Sequence, residues 1–371
     1  MKTKNLSILA MIAIAFALFF SSCETTDPFP SEESILPERF GVEIPGALSQ
    51  DGSTKKSVYG VDTLNGNQVY GHLRFFIFVG RSGAVIVQDI IRSIAVHRIN
   101  RPMSFTFTGD EDGRDKNLVV IEDVYYEGVN WEFQMNITDA GSEGEEDGGM
   151  AIQIFWNRNP IQGIAILKPS NINKDTRPYF SDAVFQVEYS EAGEKGYDAH
   201  MLVAVSGLPL ASPLVDPYSI SGMKMFVGRK GDVVDVYGNS DHPNAVFFTP
   251  QTGFSWAFVA SGDNVQDIAV AEVGLPPSNL DEPSREVLLG DYAIKNVFTT
   301  QIYNLWPNID QETVDAYLYN TEAPGYFDAG GFVQGGTSPG EQYDELELRL
   351  PLLSPYNPDE VSNLDIQFKL D

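Results

Sequence analysis

Cysteine is the scarcest residue of this 371-residue chain, which contains only Cys23. A single cysteine excludes an intramolecular disulfide, so the fold must depend on a packed core. Histidine is nearly as scarce. The four histidines include no pair at the i, i+4 spacing of a helical zinc site and no His-Glu-x-x-His motif. A hydrophobic content of 43% still favours packed structure over a disordered stalk.

Basic residues are also few, with 24 lysines and arginines against 52 acids and a net charge of −28. Such a surface repels nucleic acid and anionic lipid headgroups, so we predict no nucleic-acid partner. The same charge keeps a protein soluble outside the cell. It leaves open a cation or a cationic partner.

One apolar run stands out in an otherwise mixed sequence. Residues 8–20 are thirteen consecutive apolar residues, preceded by Lys2 and Lys4 and followed by Ser21 and Ser22. A permanent membrane span needs about 20 apolar residues. The layout is therefore that of a secretory signal peptide.

The stretch Phe20-Ser21-Ser22-Cys23 resembles the lipobox of bacterial lipoproteins, with Phe20 in place of the usual leucine. The resemblance implies that the signal is cut before Cys23, that its thiol receives a diacylglycerol and that its amine is acylated. Several acyl chains anchor a protein stably. We expect an exported protein anchored by lipid, at the outer membrane, on its periplasmic face or at the cell surface. A lipidated Cys23 also excludes thiolate catalysis and cysteine-bound metals.

Composition divides the chain into a signal peptide at 1–22 and a lipidated cysteine with an acidic tether at 23–57. Two β-rich domains follow, at 58–215 and 216–371. Within the tether, Glu24 and Asp27 resemble the acidic signal that sends some lipoproteins to the cell surface. Three short segments, at 78–83, 128–133 and 208–213, resemble segments at 226–231, 253–258 and 350–355, respectively. These short matches indicate either a distant duplication or chance.

Alternation of apolar and polar residues with a period of two dominates the chain after the tether. It predicts strands in which these residues face a core: Trp131, Phe133, Met135 and Ile137; Leu346, Leu348 and Leu350; Ile366, Phe368 and Leu370. Further strands are expected at 73–79, 104–108, 118–126, 151–156, 163–167, 183–189, 200–205, 223–227 and 233–237. The fold class is therefore mainly β, with antiparallel sandwich or barrel domains and a few short helices.

Two segments have helical periodicity. Residues 83–98 place Val87, Ile91 and Ile94 on one face, with Ser82 as a possible cap, although their wealth of valine and isoleucine leaves a strand open. Residues 310–319 are a shorter candidate.

Acidic loops provide the candidate metal ligands. Asp110, Asp112 and Asp115 lie in an Asp- and Gly-rich loop that could bind calcium, although Arg114 departs from the EF-hand pattern. Residues 143–149 are expected to form a solvated hairpin tip. No other cofactor is predicted.

Two further segments could carry chemistry. Asp241 and His242 lie in a polar stretch that is expected to be an exposed turn and a candidate ligand-binding site. Residues 253–257 approach the Gly-x-Ser-x-Gly nucleophile elbow, but Ala257 replaces the last glycine and the next residues resemble a strand.

These observations favour a non-catalytic lipoprotein that binds a ligand or a partner protein at the cell envelope. An extracytoplasmic hydrolase that uses carboxylates and a purely structural or adhesion module remain the alternatives.

Overall fold

A computed structural model describes residues 34–49, 66–95, 97–213, 216, 218–245 and 253–369. Cys23, the signal peptide, the rest of the tether and Leu370 lie outside the described residues. No helix in the described ranges is long and apolar enough to cross a membrane.

Thirteen antiparallel strands form one sheet in which every strand pairs with its neighbours in sequence. The strands are β1 Met103–Thr108, β2 Asp115–Tyr126, β3 Val129–Asp139, β4 Met150–Arg158, β5 Ile161–Leu167, β6 Val184–Ser190, β7 Ala199–Ser206, β8 Gly222–Lys230, β9 Val233–His242, β10 Phe254–Asp263, β11 Ile268–Gly274, β12 Gly325–Asp328 and β13 Gly331–Gly335. The mainly β, antiparallel fold class is confirmed. β7 and β8 pair along seven residues, so the sheet is continuous through the predicted boundary at 215/216.

Helices occupy the ends of the sheet and its two faces. They are α1 Gly66–Ala95, α2 Pro169–Ile172, α3 Arg177–Phe180, α4 Ile294–Leu305, α5 Gln311–Tyr317, α6 Asp344–Glu347 and α7 Pro358–Ser362. A π-helical segment spans Glu286–Asp291. The helix predicted at 310–319 is confirmed as α5, with the Asp310 side chain accepting a hydrogen bond from the Thr313 N–H.

Helix α1 crosses one face of the sheet. Near its start, Tyr70 stacks on Phe332 of β13 with 5.0 Å between ring centroids. Just beyond its end, the ring centroid of His97 lies 4.8 Å from that of Phe105 in β1. Thirty helical residues span about 45 Å, less than the roughly 58 Å of twelve flat strand spacings. The sheet therefore curves around α1 and has a concave and a convex face.

The predicted strand at 73–79 is wrong, because these residues form part of α1. Leu73, Phe76 and Ile77 are buried against the concave face, so an apolar run that suits a strand also suits a helix surrounded by sheet. Ser82 does not cap the helix. It lies in its interior, where its hydroxyl donates to the Phe78 carbonyl at 2.8 Å.

Residues 34–49 pack beside α1 on the concave face, so this part of the predicted tether belongs to the core. Phe40 is fully buried and packs on Gly163. A Cβ added to Gly163 would lie 2.5 Å from the Phe40 ring. The Trp156 indole N–H donates to the Ile35 carbonyl at 2.7 Å. The segment forms none of the strands of the sheet.

A C-terminal strap, residues 344–369, covers much of the convex face. Leu346, Leu350 and Leu353 pack on Val259 and Val270, while Ile366 packs against Phe155. The predicted strands at 346–350 and 366–370 are wrong for the described residues. Leu346 lies in α6, Leu348 in the turn after it and Leu350 in a 3₁₀ turn, and residues 364–369 have no strand partner.

The alternation in β3 holds for only part of the strand. Phe133, Met135 and Ile137 face the concave core, but Trp131 belongs to the convex cluster around Phe155. The paired strand β2 contains Asp123 with a φ of 58°, opposite the point where β3 changes face.

Candidate ligand-binding cleft

A cleft of about 400 Å³ opens on the convex face between the β6–β7 loop, strands β8 and β9, and the strap. Its walls are formed by Lys195, Tyr197, Phe226, Tyr237, Leu352, Leu353 and Ser354. This volume lies within the range that accommodates small organic ligands.

Phe226 and Tyr237 form the base of the cleft because of the alternation of side chains along their strands. Phe226 of β8 and Tyr237 of β9 are directly paired across the two strands, so both side chains leave the same face. Their rings stack with 4.8 Å between centroids. Tyr356 of the strap extends this group, 5.5 Å from Tyr237, and its N–H donates to Asn239 Oδ1 at 2.8 Å.

Tyr197 forms the second wall and depends on a glycine beneath it. A Cβ at Gly228 would lie 2.6 Å from the Tyr197 ring, so only glycine allows the ring to rest on β8. The Tyr197 hydroxyl donates to Asp235 Oδ2 at 2.8 Å. Burial, followed by the Asp235 charge, raises the pKa of Tyr197, so the phenol retains the proton that it donates to Asp235.

Asp235 fastens the strap beside the cleft. Its buried carboxylate accepts from Arg349 Nε at 2.8 Å and Nη2 at 2.5 Å, and from the Ser261 hydroxyl at 2.8 Å. A bidentate pair of this kind has fixed geometry, so it holds the strap residues that complete the cleft.

Two lysines rest on the aromatic rings. Lys195 Nζ lies 5.2 Å from the centre of the Phe226 ring, and Lys224 Nζ lies 4.4 Å from that of Tyr356. Both distances are within the range of a cation–π interaction. Within the described part of the chain, neither lysine makes an ion pair.

Two other titratable groups lie near these lysines. Burial raises the pKa of Glu188, and the charges of Lys195 and Lys224 oppose that rise. Burial lowers the pKa of His200, whose ring stacks on Phe226 with 5.6 Å between centroids. Among the described atoms, His200 Nδ1 is buried without a hydrogen-bond partner.

Asp241 and His242 are not in an exposed turn, and that prediction is wrong. They end strand β9, where both are buried, and their side chains leave opposite faces of the sheet. His242 packs on Phe254 with 5.1 Å between ring centroids, and its Nδ1 lies 2.9 Å from the Tyr218 carbonyl. The two residues therefore do not converge, and neither lines the cleft.

Two of the three predicted calcium ligands, Asp112 and Asp115, accept hydrogen bonds from protein groups. Asp112 accepts from Lys116 Nζ at 3.0 Å and from the Lys174 N–H at 3.0 Å. Asp115 lies in β2 and accepts from the Thr108 hydroxyl at 3.1 Å. In the described residues, no three acidic, histidine or cysteine side chains gather as metal ligands would. Calcium at Asp110, Asp112 and Asp115 stays a prediction.

The loop at 143–149 joins β3 to β4, and its residues Glu143, Gly144 and Glu146 are exposed, in agreement with the predicted solvated hairpin tip. Its other two acids form ion pairs. Glu145 pairs with Arg177 at 2.7 Å, and Asp147 pairs with Lys168 at 2.6 Å. These contacts join the β3–β4 loop to the segment after β5.

The nucleophile-elbow candidate is a plain strand. Ser255 lies within β10, and its hydroxyl accepts from Asn239 Nδ2 at 3.0 Å. An elbow requires a turn into a helix after the serine, and β10 instead continues to Asp263.

No family model, no curated protein and no solved structure matches this chain. Inferences about function therefore depend on the cleft, which sequence reasoning missed. Its walls come from residues between 195 and 354, and only the curvature of the sheet and the path of the strap unite them. The sequence signal that could have indicated the cleft is the pair of aromatic residues on the convex side of neighbouring strands, Phe226 in β8 and Tyr237 in β9.

Proposed function

We propose that this protein is an exported, lipid-anchored envelope protein that binds a carbohydrate in the convex cleft without transforming it. The observation that carries the proposal is the aromatic lining. Tyr197 and Tyr237 are half-buried and combine flat apolar rings with hydroxyl groups. A sugar ring has matching surfaces, since one face exposes C–H groups and the edge exposes hydroxyls.

The non-catalytic part of the proposal is supported by the lining of the cleft. The described residues that line the cleft include no carboxylate. Glycoside hydrolysis by the common route needs a pair of carboxylates, one on each side of the bond that is cleaved. Glu188, with its raised pKa, is the observation that favours the alternative of a hydrolase. It lies on β6, outside the lining.

The anchoring part of the proposal is supported by the sequence around Cys23. Replacing Cys23→Ala is expected to abolish acylation of the protein, because the thiol that would receive the lipid is lost. Mass spectrometry of the purified wild-type protein should find the acyl chains on the peptide that begins at Cys23. An unmodified cysteine there would contradict the anchor.

The binding part can be tested with a matched pair of strap variants. Leu352 lines the cleft and is 80% exposed, while Leu348 lies outside it and is 77% exposed. A thermal-shift screen of the full chain in detergent against neutral and acidic oligosaccharides should identify a stabilising ligand. Leu352→Asp should then weaken that stabilisation, because it puts a charge on an apolar wall.

Leu348→Asp is the control and should respond to the ligand as wild type does. Equal responses of the two variants would contradict binding in the cleft. So would the absence of any stabilising oligosaccharide.

A further inference from the structure

We infer that the ligand carries a negative charge and is a sugar acid, whose acidic group is bound by Lys195. This inference rests on the proposed carbohydrate-binding function and specifies its substrate class.

The charge of the lining is the first observation. Lys195 is the one charged residue among the described residues that line the cleft. This contrasts with a chain in which acids outnumber bases by more than two to one. A cationic lining on an acidic protein creates a local site for an anion that the rest of the surface repels.

The state of the neighbouring carboxylates is the second observation. Glu188 accepts from Gln186 Nε2 at 2.8 Å. Glu194 accepts from Gln162 Nε2 at 3.0 Å and from the Ser190 hydroxyl at 2.9 Å. Both acids are thus held by neutral donors. Their oxygens do not bind the lysines, and the Lys195 ammonium keeps its hydrogen-bond donors available.

The placement of Lys195 is the third observation. Its Nζ lies 5.2 Å from the centre of the buried Phe226 ring, which is in contact with the rings of both Tyr197 and Tyr237. A sugar ring against Tyr197 and Tyr237 would bring a carboxylate on its edge toward this ammonium. A charge-assisted hydrogen bond of this kind is stronger than one between neutral groups.

The test compares two disaccharides of the same linkage, one that contains glucuronic acid and one that contains glucose. Binding to the full-length protein is measured by calorimetry at low ionic strength, in a detergent without a sugar headgroup. We expect the acidic disaccharide to bind roughly tenfold more tightly, and the preference to shrink as salt is added.

Lys195→Gln should abolish the preference by weakening only the acidic disaccharide. The matched control is Lys230→Gln, which removes an exposed lysine at the end of β8 that does not line the cleft. It should retain the preference.

The outcomes separate the two claims. Equal affinities for the two sugars, tighter binding of the neutral one, or an unchanged preference in Lys195→Gln would overturn the sugar-acid inference and leave carbohydrate binding intact. If neither disaccharide binds at millimolar concentration, both claims are overturned.

Discussion

Asp235 receives more side-chain hydrogen bonds than its neighbours in the convex face, from Tyr197, Ser261 and both arms of Arg349. The Asp235 side chain is 2% exposed, so it is almost completely shielded from water. Removing one partner of a buried pair leaves the other charge uncompensated, which typically costs about 3–5 kcal/mol.

Arg349→Gln should therefore lower the free energy of unfolding by about 3 kcal/mol, as measured by urea denaturation. The matched control is Arg158→Gln, whose partner Glu132 is 40% exposed. Exposed pairs contribute at most about 1 kcal/mol, so the control should change little. Similar losses in both variants would mean that Asp235 does not fasten the strap.

His242 predicts a pH dependence of stability. Burial, the main cause, lowers its pKa from 6.5 to about 4. Between these values the unfolded chain takes up a proton on this residue and the folded chain does not. The contribution of His242 to the free energy of unfolding is complete above about pH 6.5 and is lost as the pH falls toward 4.

Wild-type protein should lose about 2 kcal/mol of unfolding free energy from this residue between pH 7 and pH 5. His242→Gln should be less stable at pH 7 but should show a flatter profile in this window. His97→Gln, at an exposed histidine, should keep the wild-type slope. An unchanged slope in His242→Gln would show that another group is responsible.

At the scale of the elements, helix α1 contains glycines in different surroundings. A Cβ at Gly71 would meet nothing within 4 Å, whereas a Cβ at Gly80 would overlap the methyl group of Met225. Alanine is favoured over glycine in a helix by about 1 kcal/mol. Gly71→Ala should therefore raise the free energy of unfolding by about that amount.

Gly80→Ala is the comparison, measured in the same urea experiment. Because the Met225 side chain must move, the gain in helix propensity should be cancelled or exceeded. An equal gain in both variants would contradict the close packing of α1 on β8.

Sequence patterns predicted most elements where one face of a strand is buried and the other is more polar. β1, β2 and β6 are examples. The patterns were wrong for residues 73–79, where α1 is surrounded by sheet on most sides and its apolar run loses a distinct period. They were also wrong at Leu346, Leu348 and Leu350. Only Leu346 and Leu350 are buried, and Leu348 is exposed. Two buried leucines four residues apart also fit a short helix followed by a turn, so the alternation did not require a strand.

At the scale of the whole molecule, the cleft depends on contacts that are distant in sequence. Tyr197 meets Asp235, and Asp235 meets Arg349, 114 residues later. Local periodicity cannot show which segment crosses the convex face, because that path depends on the curvature of the sheet. Asp112 and His242, two candidates chosen from polar loops, lie within hydrogen-bond distance of other protein groups in the structure.

The most direct test of carbohydrate binding in the convex cleft is fluorine NMR of protein labelled with fluorotyrosine, titrated with the glucuronic-acid disaccharide. Signals are assigned by single Tyr→Phe variants. If the sugar binds in the cleft, the signals of Tyr197 and Tyr237 should shift with a common saturation curve. Those of Tyr179 and Tyr319, which are 57% and 67% exposed and lie outside the lining, should not shift. Unshifted signals of Tyr197 and Tyr237 alongside saturable shifts elsewhere would contradict binding in the cleft.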